Sequence, residues 1–380
     1  MSWKETTLEN HVDLISGPAF KSAKFSDNPD DIPLIKGENL SQKKILWEKS
    51  RYWPANEVSG YEKYFLEEGD VVLAMDRPWV PAGLKYAWIQ KTDPKALLVQ
   101  RVARLKGING LSTEFLRYVI GSQIFSQYIK GIMGGTNVPH ISGDQIKAFR
   151  FQLPSEPEQK RIVNILSPYD DLIENNRRRI QLLQDAARLL YQEWFVRLRF
   201  PGHEHTKIVD GVPEGWKMEI LGETTVLNYG KALKEENRLP GSIPVFGSSG
   251  IVGYHEKPLV EGPGIIIGRK GNVGSVFWAY SDFHPIDTVY YINKEESSFF
   301  LFYALSNISF VNTDVAVPGL NRTYAYSRTI LWPKTKIIDM FDAFISPIHE
   351  QILLLNKNID SLVKARDLLL PRLMNGVIPV

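Results

Sequence analysis

EQKRIVNILSPYDDLIENNRRRIQLLQDAARLLYQEWF, residues 158 to 195, places Ile162, Leu166, Tyr169, Ile173, Asn176, Ile180, Leu183, Ala187, Leu190 and Trp194 at alternating steps of four and three. That spacing is the heptad seam of a helix that lies along another helix. Adding 179 to each number gives Phe341, Ile345, Ile348, Ile352, Leu355, Ile359, Leu362, Arg366, Leu369 and Leu373, of which only Arg366 is not apolar. Ser167-Pro168 and Ser346-Pro347 fall at the same offset, so the match does not rest on apolar residues alone. The chain contains two copies of one helix.

A helix this long extends ~57 Å at ~1.5 Å per residue, more than one globular core can cover. The matching stripe in the same chain is the natural partner, and short of that the two helices would be buried separately in two domains. In the paired arrangement Asn176 faces the region of Leu355, a polar intrusion that fixes register. Pro168 and Pro347 are expected to kink each helix or to mark its start.

Outside the helices the chain repeats a second theme. Residues 1–155 show a strand-like VDLISG ending at Gly17, then short apolar runs at Ile32–Ile35, Gly69–Ala74 and Ala96–Val99. A helical face runs from Ser112 to Ile129 and is broken at Gly131 to Gly135, and Asn137 to Ser142 leads to a last strand, Ala148–Leu153. After the polar linker Phe200 to His205 the order begins again. Trp216-Lys217 matches Trp3-Lys4, Ile243–Phe246 matches Ile32–Ile35, Ile265–Gly268 matches Val71–Ala74, and Val317 to Asn321 matches Val138 to Ser142. The stretch from tryptophan to proline is longer in the first copy, which reads as one scaffold with inserts of different size.

The expected fold class is α+β. Two similar mixed α/β globules, residues 1–155 and 201–335, are separated by two long helices, 156–200 and 336–380, that pair as an antiparallel coiled coil with pseudo-two-fold symmetry. Unlike heads related by a two-fold suit two unlike half-sites on a DNA duplex, which has its own local two-fold.

Composition sets limits on this picture. With 380 residues, 43% hydrophobic and 23% charged, the chain is ordinary globular material for two or three domains. It has no cysteine, which excludes disulfides and zinc ribbons and fits a reducing, cytoplasmic setting. The polar N-terminus and the short apolar runs argue against a membrane. Forty-five basic and 43 acidic residues give a net charge of only +2, so any nucleic-acid surface must come from local clustering.

Leu153-Pro154 followed by EQKRI at 158–162, Pro-Glu-Gly-Trp at 213–216, IIIGRKGNVG at 265–274, Val-Pro-Gly-Leu-Asn at 317–321 and LLLPRLMNGVI at 368–378, in this order around a duplicated helix, resemble the specificity subunit of type I restriction-modification enzymes. The likeness covers almost the whole chain. It implies two target recognition domains, each binding one part of a bipartite sequence on double-stranded DNA, and no cofactor. It also implies that the helices serve as spacer and docking site for two methyltransferase subunits, joined by endonuclease/translocase subunits for cleavage.

Gly268-Arg269-Lys270-Gly271-Asn272-Val273-Gly274 suits a phosphate cradle or DNA-contacting hairpin, with a structural turn as the alternative; it lacks the ending of a nucleotide P-loop. Arg269, Lys270, Asn272, Arg322 and Tyr324 are the candidate DNA contacts of the second globule, with Tyr326 and Arg328 beside them. Lys21, Lys24, Lys36, Arg77 and Lys85 are those of the first, each also readable as a solvated surface charge. Asp170, Asp171 and Glu174 ahead of Arg177, Arg178 and Arg179 read as helix-surface pairs rather than a metal site. His203-Glu204-His205 reads as linker, and Glu158-Gln159-Lys160 lacks an acidic partner for a nuclease. No Asn/Asp-Pro-Pro-aromatic motif, S-adenosylmethionine loop, helicase motif or cysteine nucleophile is present, so a non-catalytic subunit is expected. The rival readings are an enzyme with an unfamiliar active site and a self-standing DNA-binding regulator.

Overall fold

The structure, a computed structural model, describes residues 3–80, 83–132, 140–311 and 319–378. Residues 133–139 and 312–318 fall outside this set, and with them Asn137, Val138, Pro139, Val317 and Pro318 of the repeated turns. The chain divides into two compact units, Met1–Asn175 with Asn358–Val380, and Asn176–Lys357.

In the first unit Val71–Ala74 lies antiparallel between Tyr86–Trp88 and Val102–Gly107, and Val12–Ser16 forms the far edge. Every residue of Val71–Ala74 is buried, which is why the run reads as continuously apolar instead of alternating. A smaller sheet pairs Ile32–Ile35 in parallel with Leu97–Leu98 and antiparallel with Tyr52–Trp53. Lys4–Thr7 pairs with Arg150–Leu153 and so ties the start of the globule to the strand that precedes the long helix.

The second unit repeats this order. Gly264–Gly268 lies between Val276–Ala279 and Val289–Ile292, with Asn228–Tyr229 at the far edge. Ile243–Gly247 runs parallel to His284–Pro285 and antiparallel to Gly250–His255, and Lys217–Ile220 pairs with Thr329–Trp332. The short helices Gly143–Lys147 and Arg322–Tyr326 precede the last strands at the offset seen in the sequence. Ser142 caps the first through a reciprocal box with Gln145; the Asn321 carboxamide oxygen caps the second by accepting from the Thr323 and Tyr324 amides.

The long helices are Glu156–Tyr191, continued by a wider turn Gln192–Val196, and Thr335–Met374. Pro168 and Pro347 lie inside them, so of the two expectations, a kink or a helix start, the start is corrected. The first helix starts upstream because Glu158 accepts from the Ser155 amide at 2.8 Å and hydroxyl at 2.7 Å, and from the Trp3 indole at 3.2 Å. A proline removes one donor, and the packed seam holds the turns on either side of it. The helical face expected from Ser112 to Ile129 is two helices, Thr113–Ile120 and Gln123–Ile132. The break falls at Gly121, where an added Cβ would meet the Tyr86 hydroxyl at 2.1 Å, and Ser122 then caps the second helix.

In the first unit Ile162 and Leu166 share a core with Leu370 and Leu373, and one turn on Asp170 meets Arg366. In the second unit Ala187, Tyr191, Trp194 and Phe195 share a core with Ile337, Phe341 and Ile345. Within each unit the pairing is antiparallel, since rising numbers on one helix meet falling numbers on the other. Ile173, Ile352 and Leu355 are also buried, whereas Ile180, Leu183, Ile359 and Leu362 are half-buried. Asn176 is buried within the seam.

Arg366, the one polar exception in the second copy, does not interrupt the seam. It is 5% exposed and donates to Asp170, itself 7% exposed, at 2.8 Å. Asp170 also accepts from the Tyr118 hydroxyl at 2.8 Å. The reading of Asp170 as part of a helix-surface pair is therefore corrected: local spacing suggested partners on its own helix, and the tertiary pairing supplied one on the other. Asp367 bridges Arg366 at 2.9 Å and Lys43 at 3.3 Å. Burial opposes its charge, yet these two cations hold the Asp367 carboxyl below the usual carboxylate range. Among the described residues no helix is long and apolar enough to cross a membrane.

Candidate nucleic-acid interface

In the first unit the loops after Ile35, Ala74 and Leu98 meet at a cleft of about 520 Å³. Of the five candidate cations, Lys36, Arg77 and Lys85 line it, with Phe20, Phe25, Asp76 and Arg101. Lys36 is held by Glu38 at 3.0 Å and lies 5.2 Å from the centre of the Phe25 ring. Lys85 donates to the Gly37 carbonyl at 3.0 Å, and burial together with the Arg77 guanidinium pushes its ammonium below the ordinary lysine range. Lys21 and Lys24 are exposed on the adjoining turn, where Lys24 pairs with Glu57 at 2.6 Å.

The second unit gathers a different set. Arg269 lies 4.9 Å and Arg322 4.8 Å from the centre of the Tyr229 ring, so one aromatic side chain holds two cations. Arg269 also donates to the Asp287 carbonyl at 3.0 Å. Lys270 and Asn272 are exposed on the following loop, and Tyr324 is covered by Arg328 at 4.3 Å. Tyr326 accepts from the Leu227 amide at 2.9 Å, which turns it into the fold.

The glycine-rich loop is braced from within. The Arg269 and Lys270 amides donate to the Thr288 carbonyl at 2.9 and 3.0 Å, the Val273 amide to Gly271 at 3.0 Å and the Gly274 amide to Gly268 at 2.9 Å. Gly271 and Gly274 have positive φ and form the turn, while a Cβ on Gly268 would meet the Asn272 carbonyl at 2.1 Å. These four amides are therefore turned into the fold, and the exposed side chains of Lys270 and Asn272 carry polar groups outward from the loop.

Sequence reasoning missed Asp76, Arg101 and Tyr229. Arg101 and Asp76 are far apart in the chain and carry no shared pattern, and Tyr229 stands in an undistinguished Asn-Tyr-Gly. Glu158, discounted as a nuclease residue, proves to be a helix cap. His203 interacts with the Phe200 carbonyl at 2.8 Å, and among the described residues no group of three or more His, Cys, Asp or Glu is placed to hold a metal ion.

Both long helices also expose apolar side chains at positions outside the heptad set. Ile165 and its copy Phe344 are 38% and 58% exposed, and Leu189 and its copy Leu368 are 55% and 65% exposed. Solvent alone gives no reason for large apolar groups to recur at copied positions.

Comparison with known proteins bears on these surfaces. Across 72% of this chain and 70% of its own length, the MjaIX type I restriction enzyme specificity subunit of Methanocaldococcus jannaschii is 26% identical. The HindI specificity subunit of Haemophilus influenzae is 24% identical over 99% of both chains. The crystal structure of the S subunit of a type I restriction-modification system from M. genitalium superimposes with a TM-score of 0.57 at 18% identity, covering 98% of this chain and 96% of that one, so the fold is shared. Residues 2–185 and 213–354 match the model of the type I restriction modification DNA specificity domain, and the chain belongs to that family.

Proposed function

We propose that this chain is the specificity subunit of a type I restriction-modification complex, each globule reading one half of a bipartite target on double-stranded DNA. Specificity subunits of such complexes bind DNA and assemble with other subunits. The observation that carries the reading is a scaffold built twice with unlike chemistry at the same rim. Lys36, Arg77 and Lys85 gather at a cleft in one unit, while Arg269 and Arg322 gather on Tyr229 in the other.

In this reading residues 1–155 and 201–335 are the target recognition domains, and 156–200 and 336–380 are the spacer helices. Lys21, Lys24, Lys36, Arg77 and Lys85 contact DNA from the first domain, and Arg269, Lys270, Asn272, Arg322 and Tyr324 from the second. The subunit is non-catalytic and acts in the cytoplasm. Two methyltransferase subunits dock on the helices, where the repeated exposed positions offer apolar anchors, and endonuclease/translocase subunits join for cleavage. Near-zero net charge gives little long-range attraction to phosphate, so the partners supply much of the grip.

The test is to map methylated bases in a host that carries this chain with its methyltransferase. A bipartite motif is expected. Exchanging residues 1–155 for those of a relative should change one half of that motif; change in both halves, or methylation without a motif, would contradict it. Cleavage or methylation by the purified chain alone would favour the enzyme reading.

A further inference from the structure

The two units place equivalent backbone at the mouth of the rim. The Met75 amide donates to the Arg101 carbonyl at 2.8 Å, as the Arg269 amide does to Thr288 at 2.9 Å. The Ile141 amide donates to the Met75 carbonyl at 2.8 Å, as the Leu320 amide does to Arg269 at 2.7 Å. Asp76 bridges His140 in one unit where Lys270 bridges Gly319 in the other. Asp76 and Arg101 of the first unit therefore stand where the second has Lys270 and Thr288, and Arg77 stands where the second has Gly271.

The fold does not require these first-unit residues. Thr288 fills the position of Arg101 with no charge. Arg101 has φ +66° and Arg77 φ +43°, left-handed backbone that glycine takes more easily, as Gly271 does at φ +81°. Strain retained by long cationic side chains at a cleft mouth belongs with binding rather than packing. The Arg101 side chain is 68% exposed, yet it is held by Asp76 at 2.9 Å; that carboxylate is 20% exposed and also hydrogen-bonded to the His140 ring.

An arginine that only neutralises phosphate gains little from being aimed. One held at a corner by a carboxylate presents its remaining donors in a fixed plane, as bidentate recognition of the O6 and N7 edge of guanine needs. We propose that Arg101, positioned by Asp76, reads a guanine in the half-site bound by the first globule. This rests on the DNA-reading role proposed above, and it adds a specificity-determining residue that the cation candidates from the sequence did not include. The second globule, with Thr288 and Lys270 at these positions, reads its half-site by other contacts, so this guanine requirement belongs to one half of the target.

The experiment uses the full chain assembled with its methyltransferase subunits, with methylated sites sequenced genome-wide. Wild type must first give a bipartite motif; if it gives none, the specificity-subunit reading fails and not this assignment. Arg101→Ala and Arg101→Lys should then relax one guanine position in one half of the motif by roughly ten- to hundredfold, leaving the other half intact. Arg101→Lys keeps the charge and loses the fork, so it separates base reading from phosphate attraction even if the alanine variant folds poorly. Asp76→Asn should relax the same position by a smaller factor. Lys21→Ala, which removes an exposed cation, should lower methylation at all sites with no change of motif. A uniform loss of methylation in Arg101→Lys, relaxation in the opposite half, or an unchanged motif would overturn the proposal.

Discussion

Asp170 and His349 occupy the same position in the two copies of the long helix, and the two units have solved a buried polar site there in opposite ways. In the first unit the carboxylate of Asp170 is neutralised by Arg366 and receives the Tyr118 hydroxyl. In the second unit the copy of Arg366 is Ala187, fully buried among apolar residues, and among the described residues burial alone, with no charged neighbour, sets the titration of His349. The histidine instead lies between the Tyr280 hydroxyl at Nδ1, 2.8 Å away, and the Tyr303 hydroxyl at Nε2, 2.9 Å away, with its ring 4.2 Å from that of Phe299. A neutral imidazole is satisfied by this pair, donating to one hydroxyl and accepting from the other. One seam thus admits a charge only where a countercharge reaches it, and stays neutral where none does.

The largest expected effect comes from breaking the charged solution. Arg366→Ala leaves Asp170 buried without its main partner and should destabilise the first unit by about 3–5 kcal/mol, read by denaturant unfolding. The double replacement Asp170→Leu with Arg366→Met should recover most of that loss, because a well-packed apolar pair avoids the desolvation of both ions. If the double variant is as unstable as the single one, the pair contributes more than mutual neutralisation.

The neutral solution should break with acid. Burial pushes the His349 imidazole down to about 4, whereas an unfolded histidine titrates near 6.5. Between these values the unfolded chain binds the proton and the folded one does not. The stability that His349 contributes is therefore complete above about pH 6.5 and is lost as pH falls toward 4, by an amount on the order of 3 kcal/mol. Unfolding measured from pH 7 to 4.5 should show this slope in the wild type and a reduced one in His349→Gln, the remaining carboxylates being common to both.

At the rims the effect is smaller. Tyr229→Ala frees Arg269 and Arg322 from the ring that holds them, and cation–π contacts at exposed sites contribute about 0.5–1 kcal/mol each. DNA binding by the assembled complex should weaken by roughly tenfold or less, with any change of motif confined to the half read by the second globule. Ser16, which faces Met75 in the first unit as Tyr229 faces Arg269 in the second, should tolerate alanine with no effect on binding. Smallest are the caps. Ser142→Ala and Asn321→Ala should each cost about 1 kcal/mol in thermal unfolding, and near-equal values would show that the two short helices are held alike despite different cap residues.

The helices and the doubled scaffold were legible in the sequence because they rest on repetition. A heptad copied at a fixed offset reports a shared partner surface, and apolar runs at Ile32–Ile35, Val71–Ala74 and Ile265–Ile267 report strands buried on both faces. Arg366 was the exception that repetition could not interpret, since its partner Asp170 lies 196 residues away and looks, locally, like one member of a surface charge cluster. Gly121 hid the division of a helix for a similar reason: only Tyr86, packed against it across the fold, makes a side chain impossible there. The candidate cations were found by residue type and loop context, which is enough to bring Lys36, Arg77 and Lys85 to one cleft. It could not find Tyr229 or Asp76, whose importance comes entirely from what the strand order sets beside them.

The uneven placing of Arg366 has a consequence for how the molecule chooses its own pairing. A fragment ending after the first long helix owns Asp170 and Ala187 but lacks Arg366, and keeps beside the carboxylate only Arg117, 3.9 Å away. Two such fragments laid head to tail would set an enclosed carboxylate against a methyl group at both ends. The guanidinium supplied by the far end of the same chain acts as an address, directing each helix to the unlike copy and away from its twin in a neighbouring molecule.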